Sequence, residues 1–325
     1  MSNGTQDRTA PTTVAGRPAA GSVAGTGAID STGIALALCG ALLFSLKPIF
    51  IKLNYEYDVG ASTQLALRML FSVPFYSAIA LHALRNRRAK ALPTDLSRRS
   101  LVSTVLIGFL GYYLTALLDM EGLAHITAQF ERLILFTFPT FVAILGYWFF
   151  GERLGPRHLV SIGLTYLGLA TIFARDLHSL GDSVVIGTGL VLTSSVTYAI
   201  YLLLAKGRIR AMGSQLFTSI SMLAGTVGTL GHFLVLHPVS DLIVPMPVVW
   251  LCLAMSILAT FIPSLLIAEA INRIGPGPAS VTTGAGPMFT SLMAIWILGE
   301  EFSVWHALGT ALVIGGILVL SRERS

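Results

Sequence analysis

Residues 139–158 read PTFVAILGYWFFGERLGPRH, and residues 287–306 read PMFTSLMAIWILGEEFSVWH. A single shift of 148 positions takes Pro139 to Pro287, Phe141 to Phe289, Trp148 to Trp296, Gly151-Glu152 to Gly299-Glu300 and His158 to His306. The same shift takes Glu121 to Glu269. Each stretch is an apolar run that stops at Gly-Glu, which reads as a helix end followed by a short link. Matches at one offset, in segments of the same hydropathy, mark an internal repeat. Toward the start of each half the register drifts: Gln64-Leu65 matches Gln215-Leu216, and Lys52 falls opposite Lys206.

The composition says what surrounds these runs. Of the 325 residues 54% are hydrophobic and only 11% charged, against roughly 25% charged in soluble domains. With a mean hydropathy of +0.76, a water-soluble globule would have to carry the apolar excess on its surface. A bilayer removes that difficulty, and the chain reads as an integral membrane protein. The net charge of +5 does not indicate nucleic acid, because the basic residues lie in short links between apolar runs. Cys39 and Cys252 sit inside apolar runs and read as small packed side chains.

Ten apolar runs follow one another, near 33–53, 61–82, 100–119, 124–150, 157–174, 185–205, 214–236, 247–269, 278–298 and 303–320. Each reaches or approaches the ~20 residues of a spanning helix. With the N-terminus inside, the inner segments hold 16 Lys and Arg and the outer loops only Lys52 and Arg175. That bias fixes the orientation and favours an even number of helices. Five helices per half is odd, so the second half enters the membrane the opposite way round. The expected fold is all-α: ten transmembrane helices in two inverted five-helix repeats, at 33–175 and 185–321, after a disordered cytoplasmic tail over 1–32. Inverted repeats are a property of secondary transporters, where the two halves exchange roles around a central site.

The order of these features resembles the drug/metabolite transporter superfamily, specifically its EamA-type members. Gly151-Glu152-Arg153-Leu154 is similar to that family's ending of the fourth helix, and Gly299-Glu300-Glu301-Phe302 is a degenerate partner. Ala66-Leu67-Arg68-Met69-Leu70 resembles its second-helix arginine pattern. The resemblance spans about residues 33–321 and implies ten helices around a central pocket, with substrates that include amino acids and nucleotide-type metabolites. The chain departs from the pattern at the start of the fourth helix. Glu131-Arg132 stand where the second half has the small residues Ala279-Ser280.

Charge inside a spanning helix costs at least about 2.5–3.5 kcal/mol per group and marks function by default. The charges well away from the ends of the apolar runs are Lys47, Arg68, Glu131 and Arg132. From the ends of their runs, all four lie roughly 9–11 Å below the outer surface at the helical rise. Their counterparts in the second half, Tyr201, Ser219, Ala279 and Ser280, are neutral. The surplus positive charge suits a ligand carboxylate or phosphate, with Lys47, Arg68, Glu131, Arg132 and Tyr201 as substrate-binding candidates. The alternative for Arg68 is a lock with Glu131 between the second and fourth helices. Glu131 is the one acidic residue placed deep in a run and is the candidate for proton coupling. Pro48, Pro139 and Pro287 read as breaks lining a site or as simple kinks.

The expected activity is secondary transport of a small polar, anionic or zwitterionic metabolite by alternating access, in the direction of export. The competing reading is a membrane-embedded enzyme acting on a lipid or acyl substrate, and no nucleophilic cluster marks one. No cofactor or Walker-type motif is present. The expected partners are the lipid bilayer and the substrate, with protons and a second copy of the chain as further candidates. The expected location is the plasma (inner) membrane, both termini cytoplasmic.

Overall fold

A computed structural model describes residues 30–92, 94–151, 155–274 and 276–321. Most of the expected tail, together with Glu152-Arg153-Leu154, Arg322 and Arg324, lies outside the described residues, and so do the side chains of Arg157 and Ser280. From Ser31 onward the chain is one compact unit. Among the described residues there is no strand.

The helices are α1 (Ser31–Tyr55), α2 (Ala61–Ala89), α3 (Arg98–Leu123), α4 (Ala128–Leu135), α5 (Phe138–Phe150) and α6 (Pro156–Leu180). The second set is α7 (Ser183–Met212), α8 (Ser214–Leu236), α9 (Met246–Ile274), α10 (Pro276–Thr283), α11 (Gly286–Leu298) and α12 (Val304–Ser321). Among the described residues, eight helical spans are long and apolar enough to cross a membrane, with α4 and α5 counted as one, and two shorter apolar helices lie at Gly286–Leu298 and Val304–Gly316.

Several links expected from sequence are shorter than they read. Arg85, Arg87 and Arg88 lie on the last turns of α2. Lys206, Arg208 and Arg210 lie on α7, which Gly213 alone, at φ 86°, separates from α8. The fifth run, which reads as short, is the 25-residue α6. Helices continue past the apolar run because basic side chains extend into the polar boundary while the backbone keeps its hydrogen bonds.

Local structure repeats at the shift of 148 seen in the sequence. Wide π turns interrupt α3 at Phe109–Leu114 and α9 at Ile257–Phe261. Breaks separate α4 from α5 and α10 from α11, and Pro139 and Pro287 each stand in the first turn of the new helix. There a proline costs nothing, since its missing N–H would have had no partner. Gly151 and Gly299 end α5 and α11 in the same left-handed conformation, φ 66° in both. His158 and His306 each accept a backbone N–H at the start of the following helix, from Gly155 at 3.2 Å and Ser303 at 3.3 Å. Pro48 behaves differently: α1 runs through it without a break.

In hydrocarbon every exposed backbone group at a helix break needs an internal partner. A serine from the other set of helices bonds a carbonyl beside each break. Ser195 on α7 donates to the Leu135 carbonyl at the end of α4 (3.3 Å). Ser45 on α1 donates to the Gly286 carbonyl at the start of α11 (2.9 Å). Close backbone approaches draw the two sets of helices together. A Cβ on Gly168 of α6 would meet the Gly309 carbonyl at 2.6 Å, and one on Gly309 of α12 would meet that of Gly168 at 2.7 Å. Such small-residue seams are how helices pack without a hydrophobic effect between them.

Gly309→Val drives a branched side chain into the Gly168 backbone and is expected to lower stability by roughly 1–3 kcal/mol. Gly163→Val, on α6 with open space around it, should melt near the parent temperature. Thermal unfolding of the detergent-purified variants checks both.

Candidate functional site

The charged centre is built where α1, α3 and α4 meet. Thr127 caps α4, its hydroxyl accepting the Phe130 N–H at 3.2 Å. Phe130, Leu133 and Ile134 anchor the helix in a buried apolar cluster. This fixes Glu131, which is 0% exposed. Neither of its carboxylate oxygens has a hydrogen-bond partner. The charged groups acting on it are Asp119, Lys47 and Arg132.

Asp119 overturns the reading that made Glu131 the one deep acid. The sequence reading ended the third helix at 119, but α3 continues to Leu123 and takes Asp119 inside, where it is 1% exposed. Its Oδ2 receives the Lys47 ammonium of α1 in an ion pair, and its Oδ1 has no partner. It also acts electrostatically on Arg68 and Arg132. The signal was present: apolar Gly122-Leu123 follow the acid, so the run need not stop at it.

Arg68 is 7% exposed on α2. Its backbone carbonyl accepts from Ser72 (2.9 Å) and from Ser256 on α9 (2.8 Å), which holds its turn in place. Tyr76, Asp119, Cys252 and Tyr112 act electrostatically on its guanidinium, and among the described residues neither Nε nor Nη1 has a hydrogen-bond acceptor. The lock between Arg68 and Glu131 does not form. Arg132 turns instead to Phe136, its guanidinium carbon 5.6 Å from the ring centroid, a cation–π contact on the same helix end.

Tyr201 on α7 joins this centre through an aromatic neighbour. Its hydroxyl donates to that of Tyr112 at 3.3 Å, and its ring stacks on Tyr198 (5.8 Å between centroids) and Phe217 (6.2 Å). Tyr112 comes from the π turn of α3, a distortion frequent at functional sites. Ser219 and Ala279 are buried and neutral.

A cavity of about 660 Å³ opens beside the centre, lined among others by Lys52, Tyr55, His125, Thr127, Ser183 and Glu300. The Tyr55 hydroxyl donates to the Met120 carbonyl, next to Asp119. The vestibule thus ends one turn from the charged cluster.

The sequence model of the EamA-like transporter family matches residues 31–174 and again 185–322. The chain belongs to the EamA-like transporter family. Its double match agrees with the repeated turns and breaks. An uncharacterized transporter of Bacillus subtilis (strain 168), YcbK, is 27% identical over 86% of this chain and 89% of its own length. An uncharacterized transporter of Synechocystis sp. (strain ATCC 27184 / PCC 6803 / Kazusa), sll1319, is 22% identical over 91% of this chain and 95% of its own. A crystal structure superposes with a TM-score of 0.59 at 17% identity, covering 90% of this chain and 98% of that one, which shows a shared fold. This EamA-like protein is therefore a membrane transporter.

Asp119→Asn removes the partner of a partly buried ammonium, 16% exposed, and is expected to cost roughly 1–3 kcal/mol of stability. The apolar double replacement Lys47→Met with Asp119→Leu removes both charges and should recover most of that loss. Denaturant titration of the parent, Lys47→Met, Asp119→Leu and the double replacement in one double-mutant cycle gives the coupling.

Proposed function

We propose that this transporter moves a small metabolite carrying a carboxylate or phosphate, anionic or zwitterionic, out of the cell by alternating access. The observation that carries the reading is Arg68, a buried guanidinium with two unmatched donors. Asp119, the carboxylate acting on it, is already engaged by Lys47. Three cations, Lys47, Arg68 and Arg132, stand against two carboxylates, Asp119 and Glu131, which leaves one positive charge for a ligand. Guanidinium binds carboxylate and phosphate through paired N–H donors. The unmatched Glu131 oxygens suit the ammonium of a zwitterion or a transported proton. Tyr201 and Tyr112 would bound the pocket on the α7 side.

In this reading the segment that precedes α1 lies on the cytoplasmic side. The halves at 33–175 and 185–321 are inverted repeats, both termini face the cytoplasm and the bilayer is the plasma membrane. The basic residues at the ends of α2 and α7 support that orientation. An impermeant thiol reagent should then label cysteines placed at Asp182 and Arg88 from opposite sides. Labelling of both from one side would refute the inversion.

Glu131 is the proposed coupling residue. It sits beside Asp119, so a proton on either carboxyl lets that group donate to the other, and an arriving ammonium can replace that proton. Counterflow in proteoliposomes with labelled amino acids, organic acids and sugar phosphates tests the substrate class. Arg68→Ala should lower exchange of the accepted anion at least about tenfold, the loss of one charge-assisted pair. Transport restricted to neutral or cationic compounds, indifferent to Arg68→Ala, would sink the reading. Glu131→Gln should abolish uptake driven by a pH gradient and spare part of the exchange; full gradient-driven uptake would remove Glu131 from coupling.

A further inference from the structure

Glu300, in the link between α11 and α12, makes a contact that the transport reading does not use. It follows Gly299, whose left-handed conformation turns the chain back toward α4. The Glu300 carboxylate accepts the backbone N–H of Ala128 at 2.7 Å and of Gln129 at 3.3 Å, and the Gln129 side-chain amide at 3.1 Å. An α-helix starts with four N–H groups that have no acceptor within the helix. In α4 the three on Ala128, Gln129 and Phe130 all find acceptors. Thr127 takes the Phe130 N–H through its hydroxyl, Glu300 takes those of Ala128 and Gln129, and the Glu131 N–H begins the regular helical ladder on the Thr127 carbonyl.

Thr127 is thus the local cap, and Glu300 adds a tie across more than 170 residues of sequence. The helix it holds carries Glu131. The tie also lies at the boundary of water, because Glu300, Thr127 and Lys52 line the same vestibule. The neighbouring acid, Glu301, touches α4 only through its backbone carbonyl, which accepts the Gln129 amide at 3.4 Å, while its side chain is 82% exposed and pairs with Arg175 of α6 at 2.6 Å. Glu301 is therefore an internal control, one residue away.

We propose that Glu300 is the latch of this end of the transporter: seated on the first turn of α4, its carboxylate holds shut the way from the open vestibule to the Lys47–Asp119–Glu131 cluster and leaves α4 when that path opens. The inference rests on the alternating-access reading for its purpose. A carboxylate on backbone amides is suited to such a task, because water satisfies both sides once they part and no covalent change is needed.

The test places a cysteine under the latch by Met120→Cys, in a protein whose native cysteines are replaced through Cys39→Ser and Cys252→Ser. Met120 is fully enclosed and adjoins Asp119. The protein is held in lipid nanodiscs and treated with a charged, membrane-impermeant methanethiosulfonate. E300A should raise the labelling rate about tenfold, as expected when a charge-assisted closure is lost and the open population grows. E300Q, which keeps one acceptor oxygen, should fall between E300A and the parent, and E301Q should match the parent. Hydrogen exchange at residues 128–129 should quicken in the order of the labelling rates. Faster exchange with labelling unchanged would reduce Glu300 to a cap and overturn the latch. Unchanged exchange and labelling, or an equal response in E301Q, would overturn it as well. No substrate enters the assay, so its outcome is independent of the ligand class, which the counterflow experiment decides.

Discussion

The Lys47–Asp119 ion pair sets the conditions for the rest of the charged centre. An ammonium inside a spanning helix needs a counter-charge or water, and α3 supplies the counter-charge from its last turns. With Asp119 so engaged, two arginines are left to find partners. Arg132 lies over the Phe136 ring, and Arg68 keeps unmatched donors among tyrosines. The pair also joins α1 to α3, so the helix that carries Lys47 and the helix that carries Tyr112 keep one register.

Around that centre the scaffold is cut and mended. The chain breaks its helices after Leu135 and Thr283, and serines from α7 and α1 bond carbonyls beside the two breaks. Each break is therefore touched by a helix of the other half. The same dependence appears at Gly168 and Gly309, where neither glycine has room for a side chain because of the other. The halves are related by sequence and inseparable in packing.

The membrane character, the all-helical class and the family were legible because hydropathy and a constant offset of 148 survive any detail of packing. Lys47, Arg68, Glu131 and Arg132 stood out for the same reason, as charges in apolar runs. Their partners did not. Asp119 lies near the end of its run, and one more helical turn decides whether such an acid is wet or buried. Whether Arg68 meets Glu131 or not depends on side-chain directions around three helices, which spacing along one chain does not carry. The contact of Glu300 with α4 was out of reach for a related reason. The acceptor and the donors share no local pattern, and the glutamate reads as a boundary residue until the fold brings α4 beneath it.

The π turns carry information about history. A π turn is an α-helix that has accommodated one extra residue, so its presence records a single-residue insertion. Both Phe109–Leu114 and Ile257–Phe261 hold one, at matching places in segments that a single family model fits twice. Two independent insertions at equivalent sites would each have had to be tolerated in the middle of a membrane helix. A bulge common to both copies of the repeat accounts for the pair with one event. The two differ in what they present: the turn in α3 holds Tyr112 and Tyr113, and the one in α9 holds no tyrosine.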